Sequence, residues 1–239
     1  MIDLHSHLLP GVDDGAIDNH DAIELLNLAI SDGITHIVLT PHVHLSRYSN
    51  TLSTLKENFN NLQQLVKQKN LLINLTLGGE VRLDSDILAL YNTCELPFIG
   101  QLEGKELLLL EFPHNTIPVG SEHLVDWLLT RNILPVIAHP ERNKSIMQDP
   151  SKIKPFLDRG CLCQLTAMSV VGKFGQQAYF TAKYFLENNW VSVIASDAHN
   201  MEHRPPILSE AYFYIRSEYS ENLAQKLFID TPMKLIQTS

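Results

Sequence analysis

The sequence predicts an α/β fold in which parallel strands alternate with helices and close into a seven-stranded β/α barrel of the TIM-like kind. Two observations support this prediction. Short apolar runs alternate with longer amphipathic segments at intervals of roughly 30–40 residues, the size of one strand–helix unit. Six of the seven apolar runs are also followed by histidine or acidic residues, which is typical of strand ends that converge on one face.

The seven apolar runs are too short for helices that fill a core and are rich in isoleucine, valine and leucine. This composition indicates strands that are buried on both faces, as in parallel sheets. In chain order the predicted strands are Ile2–Leu4, Ile34–Leu39, Leu71–Leu77, Leu107–Phe112, Leu134–Ala138, Cys161–Leu165 and Val191–Ala195.

Amphipathic segments between these runs predict helices. The first follows a capping signal at Asp18 and Asn19 and ends before Gly33. Repeated strand–helix–strand alternation implies parallel pairing through right-handed crossovers. The predicted helices are Asp21–Asp32, Leu52–Lys69, Glu122–Arg131 and Gln176–Asn188.

Length, charge and cysteine content exclude several classes of protein. The 239 residues are enough for one domain with a sizeable core, and we predict a single domain over residues 1–239. The net charge of −9, without a basic stripe, disfavours nucleic-acid binding. Three cysteines do not make a disulfide framework, and no apolar run approaches a membrane span. No signal peptide is visible after Met1, so we expect a cytoplasmic protein without membrane insertion.

The polar residues at the strand ends decide between an open sheet and a closed barrel. Successive steps from His5 to His42, Glu80, Glu111 and His139 are 37, 38, 31 and 28 residues. The next step, to Asp197, is 58 residues, which fits two units of 29 with no obvious ligand at the sixth strand near Thr166. Side chains from so many strand ends converge only if the sheet closes, so the pattern favours a barrel with its site at the C-terminal face.

Imidazole and carboxylate groups together suit Zn²⁺, Mn²⁺ or Fe. His5 and His7 are two residues apart on a strand, so both side chains point to one face. With Asp14 and His199 there are too many ligands for one ion, and we predict two or three metals with Glu80 as a bridge. A histidine at a strand end is by itself usually a hydrogen-bonded or surface residue, and we leave six others outside the site on that ground: His20, His36, His44, His114, His123 and His203.

At these positions the sequence resembles the polymerase and histidinol phosphatase (PHP) superfamily. Within it, the segment Asp-Leu-His-Ser-His-Leu-Leu-Pro-Gly-Val-Asp-Asp-Gly-Ala at residues 3–16 is similar to the opening of the CpsB/CapC-type manganese-dependent tyrosine-protein phosphatases of bacteria. Later motifs match in order: Thr-Pro-His at 40–42, Gly-Gly-Glu at 78–80, Leu-Glu-Phe-Pro at 110–113, His-Pro-Glu-Arg at 139–142 and Ser-Asp-Ala-His at 196–199.

This resemblance implies a distorted seven-stranded barrel of the PHP type with a nine-ligand metal set. Mn²⁺ is the implied ion, with Fe or Zn left open. One ion would be held by His5, His7, Glu80 and Asp197, a second by Glu80, Glu111 and His139, and a third by Asp14, His42 and His199, with Asp13 as the alternative to Asp14. The implied substrate is the phosphotyrosine tail of a bacterial tyrosine kinase of capsule or exopolysaccharide assembly.

Two arginines follow predicted metal ligands on strand-end loops. Arg142 lies three residues after His139, and Arg204 lies five residues after His199. The planar guanidinium makes paired hydrogen bonds to phosphate, and the resemblance implies the same role. For proton delivery the sequence leaves Asp197, His199 and a coordinated water open.

A cysteine-dependent phosphatase is excluded because such enzymes need an arginine six residues after the nucleophile. The residues at that spacing after Cys94, Cys161 and Cys163 are glycine, alanine and serine.

Two rival functions stay open. One is a histidinol-phosphate phosphatase or another PHP phosphoesterase, because the metal set alone does not fix the substrate. The other is a non-catalytic nucleic-acid or polymerase-associated module, which the acidic charge disfavours.

Overall fold

The computed structural model describes residues 1–236 of the chain. Its strands include all seven of the predicted ones, as β1, β2, β4, β7, β8, β9 and β10. The described strands are β1 (Ile2–Ser6), β2 (His36–Leu39), β3 (His42–Val43), β4 (Asn74–Leu77), β5 (Glu80–Arg82), β6 (Gly100–Leu102), β7 (Lys105–Glu111), β8 (Ile133–Ala138), β9 (Leu162–Thr166) and β10 (Val193–Ala195).

The four predicted helices are confirmed as α1, α2, α4 and α8, and shorter helices follow several strands. Asp18 caps α1 as predicted, with its side chain accepting the backbone N–H groups of His20 and Asp21. The described helices are α1 (Asn19–Ser31), α2 (Leu52–Gln68), α3 (Asp86–Asn92), α4 (Ser121–Leu129), α5 (Lys144–Gln148), α6 (Lys154–Leu157), α7 (Ala167–Val170), α8 (Gln176–Glu187), α9 (Ser209–Glu218), α10 (Glu221–Gln225) and α11 (Thr231–Ile236).

Strand pairing confirms the parallel α/β architecture but not a single closed sheet. One sheet has the order β1-β2-β4, and the other has the order β10-β9-β8-β7-β5-β3, with β6 pairing antiparallel to β7. The predicted closed seven-stranded barrel is therefore corrected to two sheets. Among the described residues, an isolated bridge between Ser6 and Ala198 connects the end of β1 to the segment after β10.

The division into two sheets has a local cause just after the second and third predicted strands. Thr40 and Pro41 separate β2 from β3, and Gly78 and Gly79 separate β4 from β5. A proline has no N–H group for the ladder, and glycine weakens a strand. Each of these two predicted strands is thus followed by a short additional strand, β3 or β5, that was not predicted and that pairs within the other sheet.

The core lies on both faces of the strands. In β7, Leu107 and Leu109 belong to a smaller apolar cluster, whereas Leu108 and Leu110 belong to a larger one. The smaller cluster also contains residues of β1, β2, β8 and β10, so strands of both sheets enclose a common apolar interior, against which Leu235 of α11 packs. The helices cover the outer faces. This arrangement leaves the C-terminal strand ends free to carry polar groups.

Candidate metal centre

Eight of the nine predicted metal ligands lie at or up to four residues beyond the C-terminal ends of β1, β2, β4, β7, β8 and β10, and Asp14 lies in the loop after β1. The structure brings them into four overlapping groups, in which one nitrogen or oxygen atom of each member lies within 4.8 Å of those of the others. The groups are His7, Asp14, His42 and His199; His5, His7 and Glu80; His5, His139 and Asp197; and His42, Glu80 and Glu111. The histidine and acidic residues that follow the predicted strands therefore lie together in one compact cluster.

The grouping differs in part from the predicted one. His7 joins the group of Asp14, and His42 takes the place beside Glu80 and Glu111 that we had predicted for His139. His139 nevertheless contacts Glu80, with Nε2 2.6 Å from Oε1. The difference arises because neighbouring groups share members, which spacing along the chain does not show.

Glu80 occupies the centre of the cluster. Its Oε2 atom lies 3.4 Å from Nε2 of both His5 and His7 and 2.8 Å from Nδ1 of His42, while Oε1 faces His139. Burial would raise the pKa of this carboxyl, but the adjacent imidazoles of His5, His42 and His139 hold the pKa well below its usual range. Glu80 is thus an ionised carboxylate with both oxygens directed at imidazoles, the arrangement expected of a bridging ligand.

His5 and His7 present bare nitrogens to each other. Nδ1 of His5 lies 3.0 Å from the amide oxygen of Gln164, which only accepts, so this ring carries its proton on Nδ1 in the neutral form. Nδ1 of His7 donates in the same way to Asp13 at 2.7 Å. The two Nε2 atoms are then acceptors 3.1 Å apart, and Asp197 Oδ1 lies 3.3 Å from each. Glu80 Oε2, 3.4 Å from each of the two nitrogens, is the fourth acceptor, and four acceptors this close require a proton or a cation between them.

Other buried atoms of the cluster also indicate that a cation belongs between these side chains. Glu80 Oε2, Asp197 Oδ1 and His199 Nε2 have no hydrogen-bond partner among the described residues. An unpaired polar atom in the interior costs about 1–3 kcal/mol. Burial lowers the pKa of His139 to about 4 and that of His199 to about 2, with Arg142 and His7 adding to the respective shifts, so both rings are neutral near pH 7. Neutral imidazoles and ionised carboxylates are the forms that ligate divalent metals, so His139, His199 and Glu80 already have the protonation states that the predicted ions require.

Asp13 and Gln164 are outer partners of the cluster. The sequence left Asp13 as the alternative ligand to Asp14, but it lies in none of the four groups, and Gln164 was not predicted at all. The 11–16 loop folds back on β1, with the N–H of Ala16 bonded to the carbonyl of His7 at 2.9 Å. Gly15 permits this approach because a Cβ at that position would lie 1.8 Å from the same carbonyl oxygen. Asp-Asp-Gly after a histidine pair was the available signal for Asp13, whereas a glutamine within β9 gives none.

Two site residues have left-handed backbone conformations. His139 has φ of +31° and Asp197 has φ of +53°. Non-glycine residues with positive φ are uncommon, and they gather at functional sites where the surrounding structure holds them. Both residues end a buried strand, so the left-handed turn redirects their side chains from the strand line into the cluster.

Arg142 and Arg204 lie beside the cluster, as the sequence predicted. A guanidinium nitrogen of each contacts the same atom, Oδ2 of Asp197, whose other oxygen faces His5 and His7. Burial would raise the pKa of Asp197, but His5 and the two arginines hold its pKa well below its ordinary value. Both guanidiniums also face the ring of Phe174, which sequence reasoning missed because this phenylalanine lies in a loop without a motif.

The cysteines lie apart from this site. Cys94 is exposed, and Cys161 and Cys163 are buried and unpaired. Burial raises the pKa of Cys161 to about 12 and that of Cys163 well above its usual value, so neither is a thiolate near neutral pH. The exclusion of a thiol nucleophile agrees with this geometry.

Comparisons with known proteins agree with the site. The family model described as capsular polysaccharide synthesis, CpsB/CapC, matches residues 1–237. CapC of Staphylococcus aureus is 38% identical over 89% of this chain and 82% of its own length. The tyrosine-protein phosphatase YwqE of Bacillus subtilis is 32% identical over 95% of this chain and 88% of its own. A crystal structure from work on YwqE and on CpsB of Streptococcus pneumoniae, described there as metal-dependent tyrosine phosphatases, superposes with a TM-score of 0.86 at 31% identity, covering 98% of this chain and 91% of that one.

A parallel α/β fold with a histidine–carboxylate cluster at its strand ends is typical of metal-dependent hydrolases. The chain belongs to the CpsB/CapC family. No helix among residues 1–236 is long and apolar enough to cross a membrane.

Proposed function

We propose that this protein is a metal-dependent protein-tyrosine phosphatase that acts on a tyrosine kinase of capsule or exopolysaccharide synthesis. The observation that carries the proposal is the convergence of nine histidine and carboxylate side chains beside two arginines that share Asp197. Family membership favours phosphotyrosine as the substrate over other phosphate esters, because relatives of similar length are named tyrosine-protein phosphatases.

The residues of the four groups would hold two or three divalent ions, with Mn²⁺ as the proposed ion because the ligands are imidazole and carboxylate without thiolate. Bound ions would supply positive charge for the phosphoryl oxygens and a lower pKa for water. The chain itself prepares this site. Asp13 and Gln164 fix the rings of His7 and His5 with Nε2 turned inward, and Glu80 directs one oxygen to each side of the cluster.

Arg142 and Arg204 bind the phosphate in this proposal. Each guanidinium has further N–H groups besides those at Asp197, and a planar fork suits two phosphate oxygens. Both follow residues of the metal groups by a few positions, so they reach the same space as the cluster. Such donors stabilise charge that develops on the phosphoryl group in the transition state.

The geometry favours an orienting role for Asp197 over proton donation. Two arginines contact one of its oxygens and two histidines face the other, so the ionised form is strongly preferred. Nδ1 of His199 lies 3.0 Å from the carbonyl of Asp197, which places its proton there and leaves Nε2 directed at Asp14. A phenolate, with a pKa of about 10, is a fair leaving group, so the reaction does not need a strong general acid.

Four further predictions, on domain, fold, partner and location, extend this proposal. We propose that residues 1–239 act as one domain and that the two sheets form a distorted, incompletely closed barrel of the PHP type, because strands of both sheets share the smaller apolar cluster. The partner is the phosphotyrosine tail of the kinase. The three cysteines are unpaired, as is usual in a reducing compartment, so we place the protein in the cytoplasm.

The test is a phosphatase assay of metal-stripped protein re-supplied with each divalent ion, on phosphotyrosine peptide, phosphoserine peptide and histidinol phosphate. We expect no activity after chelation, the largest recovery with Mn²⁺, and preference for phosphotyrosine. Full activity after chelation, with metal analysis confirming removal, would overturn the metal mechanism. A preference for histidinol phosphate would identify the rival phosphatase function instead.

A further inference from the structure

Phe174 faces both of the arginines that we place at the phosphate. Its ring centroid lies 4.8 Å from Cζ of Arg142 and 5.9 Å from Cζ of Arg204. These distances are within the range of cation–π contacts, and arginine is the cation that most often makes them. One aromatic side chain thus contacts two guanidiniums that come from different strand-end loops.

The segment that carries Phe174 connects α7 to α8 and is fixed at both ends. The N–H of Lys173 bonds to the carbonyl of Met168 at 2.8 Å, and its ammonium group pairs with Glu210 of α9. Gly175 follows in a conformation with φ of +89°, which side-chain-bearing residues rarely adopt. These bonds fix the backbone beside Phe174, and its ring is half-buried.

We propose that Phe174 is a positioning residue that holds the guanidinium groups of Arg142 and Arg204 in the orientation that binds a phosphate group. The proposal rests on the proposed phosphatase function for its substrate, but the binding role can be measured separately. Beyond the ring, Arg142 and Arg204 share one carboxylate oxygen of Asp197. Arg142 also donates to Thr166 Oγ1 at 3.4 Å, but from the same Nη1 atom that contacts Asp197, and Nε of Arg204 has no hydrogen-bond partner among the described residues. Contacts through one nitrogen restrain the plane of a guanidinium less than contact of its face with a ring.

The ring also shields one side of both cations from water without offering a competing acceptor. A polar residue in its place would compete with phosphate for the same N–H groups, and an aliphatic residue would shield them but lack the negative ring face. Each such contact contributes a factor of about 2 to 30 in an equilibrium constant. We therefore expect a loss of about tenfold when the aromatic ring is removed.

The test compares Phe174→Leu, Phe174→Met, Phe174→Tyr and Phe174→Trp in the Mn²⁺-loaded protein. Binding of inorganic phosphate is measured by calorimetry, with hydrolysis of a phosphotyrosine peptide and metal content measured on the same preparations. We expect the Leu and Met variants to bind phosphate about tenfold more weakly and to lose a similar factor in kcat/KM at unchanged metal content. The Tyr and Trp variants should stay within about threefold of the parent.

Phe180→Leu is the matched control, because Phe180 is an exposed phenylalanine of the adjoining helix and its ring contacts Tyr179. It should leave phosphate affinity unchanged. In an Arg142→Ala background, Phe174→Leu should cost a smaller factor than in the parent, because part of its effect acts through that arginine.

Equal losses in all four Phe174 variants, full additivity with Arg142→Ala, or unchanged phosphate affinity in the Leu and Met variants would each overturn the inference. So would a parent protein that binds no phosphate. If the parent binds phosphate and the aliphatic variants weaken that binding, but phosphotyrosine peptide is not hydrolysed, the positioning role stands and the proposed function is wrong.

Discussion

Asp13 fixes the imidazole of His7, with its Oδ2 atom 2.7 Å from Nδ1 of that ring. The same carboxylate accepts the backbone N–H of His42 at 2.9 Å and that of Gly15 at 3.0 Å. A carboxylate behind a ligating histidine sets its tautomer and orientation. Asp13 therefore has the position of an outer partner of the cluster, whereas Asp14 belongs to one of the metal groups.

Replacing Asp13 by alanine should weaken metal binding without removing a ligand. We expect the dissociation constant for Mn²⁺ to rise about 10- to 100-fold, the usual effect of losing an outer-shell partner, with stoichiometry restored at saturating metal. Calorimetric titration of the stripped protein measures this. Asp158→Ala, at an exposed position, is the control, and an unchanged affinity in Asp13→Ala would contradict the assigned role.

Arg142→Ala and Arg204→Ala should each lower kcat/KM for phosphotyrosine peptide by about 10²–10³-fold while metal content stays unchanged. Lysine should rescue only in part, since a point charge does not reproduce the planar fork. Arg216→Ala is the control, because Arg216 is an exposed arginine that pairs with Glu221. Near-normal kcat/KM in both site variants would mean that these arginines do not hold the phosphate, and joint loss of metal and activity would mean that they support the cluster instead.

His42→Ala should behave differently from the arginine variants and lose metal together with activity. His42 belongs to two of the four groups and has Nδ1 2.8 Å from Glu80, so its removal leaves two groups incomplete. His44→Ala is a close control, since His44 lies two residues further along the chain and outside all four groups. Metal analysis and steady-state kinetics on both variants check this, and intact metal content in His42→Ala would count against the ligand assignment.

Replacing Cys94 by serine and both Cys161 and Cys163 by alanine should leave turnover within about twofold of the parent. Removing two buried sulfurs should still lower stability, by about 1–2 kcal/mol in total, because small cavities remain. Thermal unfolding and kinetics on the triple variant separate the two effects. Loss of turnover in a well-folded variant would reveal a thiol in the chemistry.

The sequence predicted the strands and the polar strand ends well, because both follow from local composition. Val193–Ala195 and Ile133–Ala138, for example, lie within one or two residues of the predicted runs. The end of the second strand before Pro41 was predicted, but the short strand β3 after it was not, because its pairing in the other sheet depends on partners far along the chain.

Residues that act through another side chain were the harder part of the site. Gln164 lies in the middle of a strand and carries no charge, and only its 3.0 Å contact with Nδ1 of His5 reveals its role. Phe174 resembles any apolar loop residue until the two guanidiniums are placed against it. Spacing along a chain finds groups that share a strand end, but it does not find groups that approach from a separate loop.

The left-handed backbone at His139 and Asp197 lowers the stability of the fold while it serves the site. Each such residue costs about 1–3 kcal/mol, which a chain selected only for folding would avoid by placing glycine there. Glycine, however, has no side-chain atom that could bind a metal. Replacing His139 or Asp197 by glycine would therefore relax the backbone but remove a ligand. Homologues that are no longer selected for activity should therefore lose these two residues early in evolution. Homologues that keep histidine and aspartate there should still carry out the reaction.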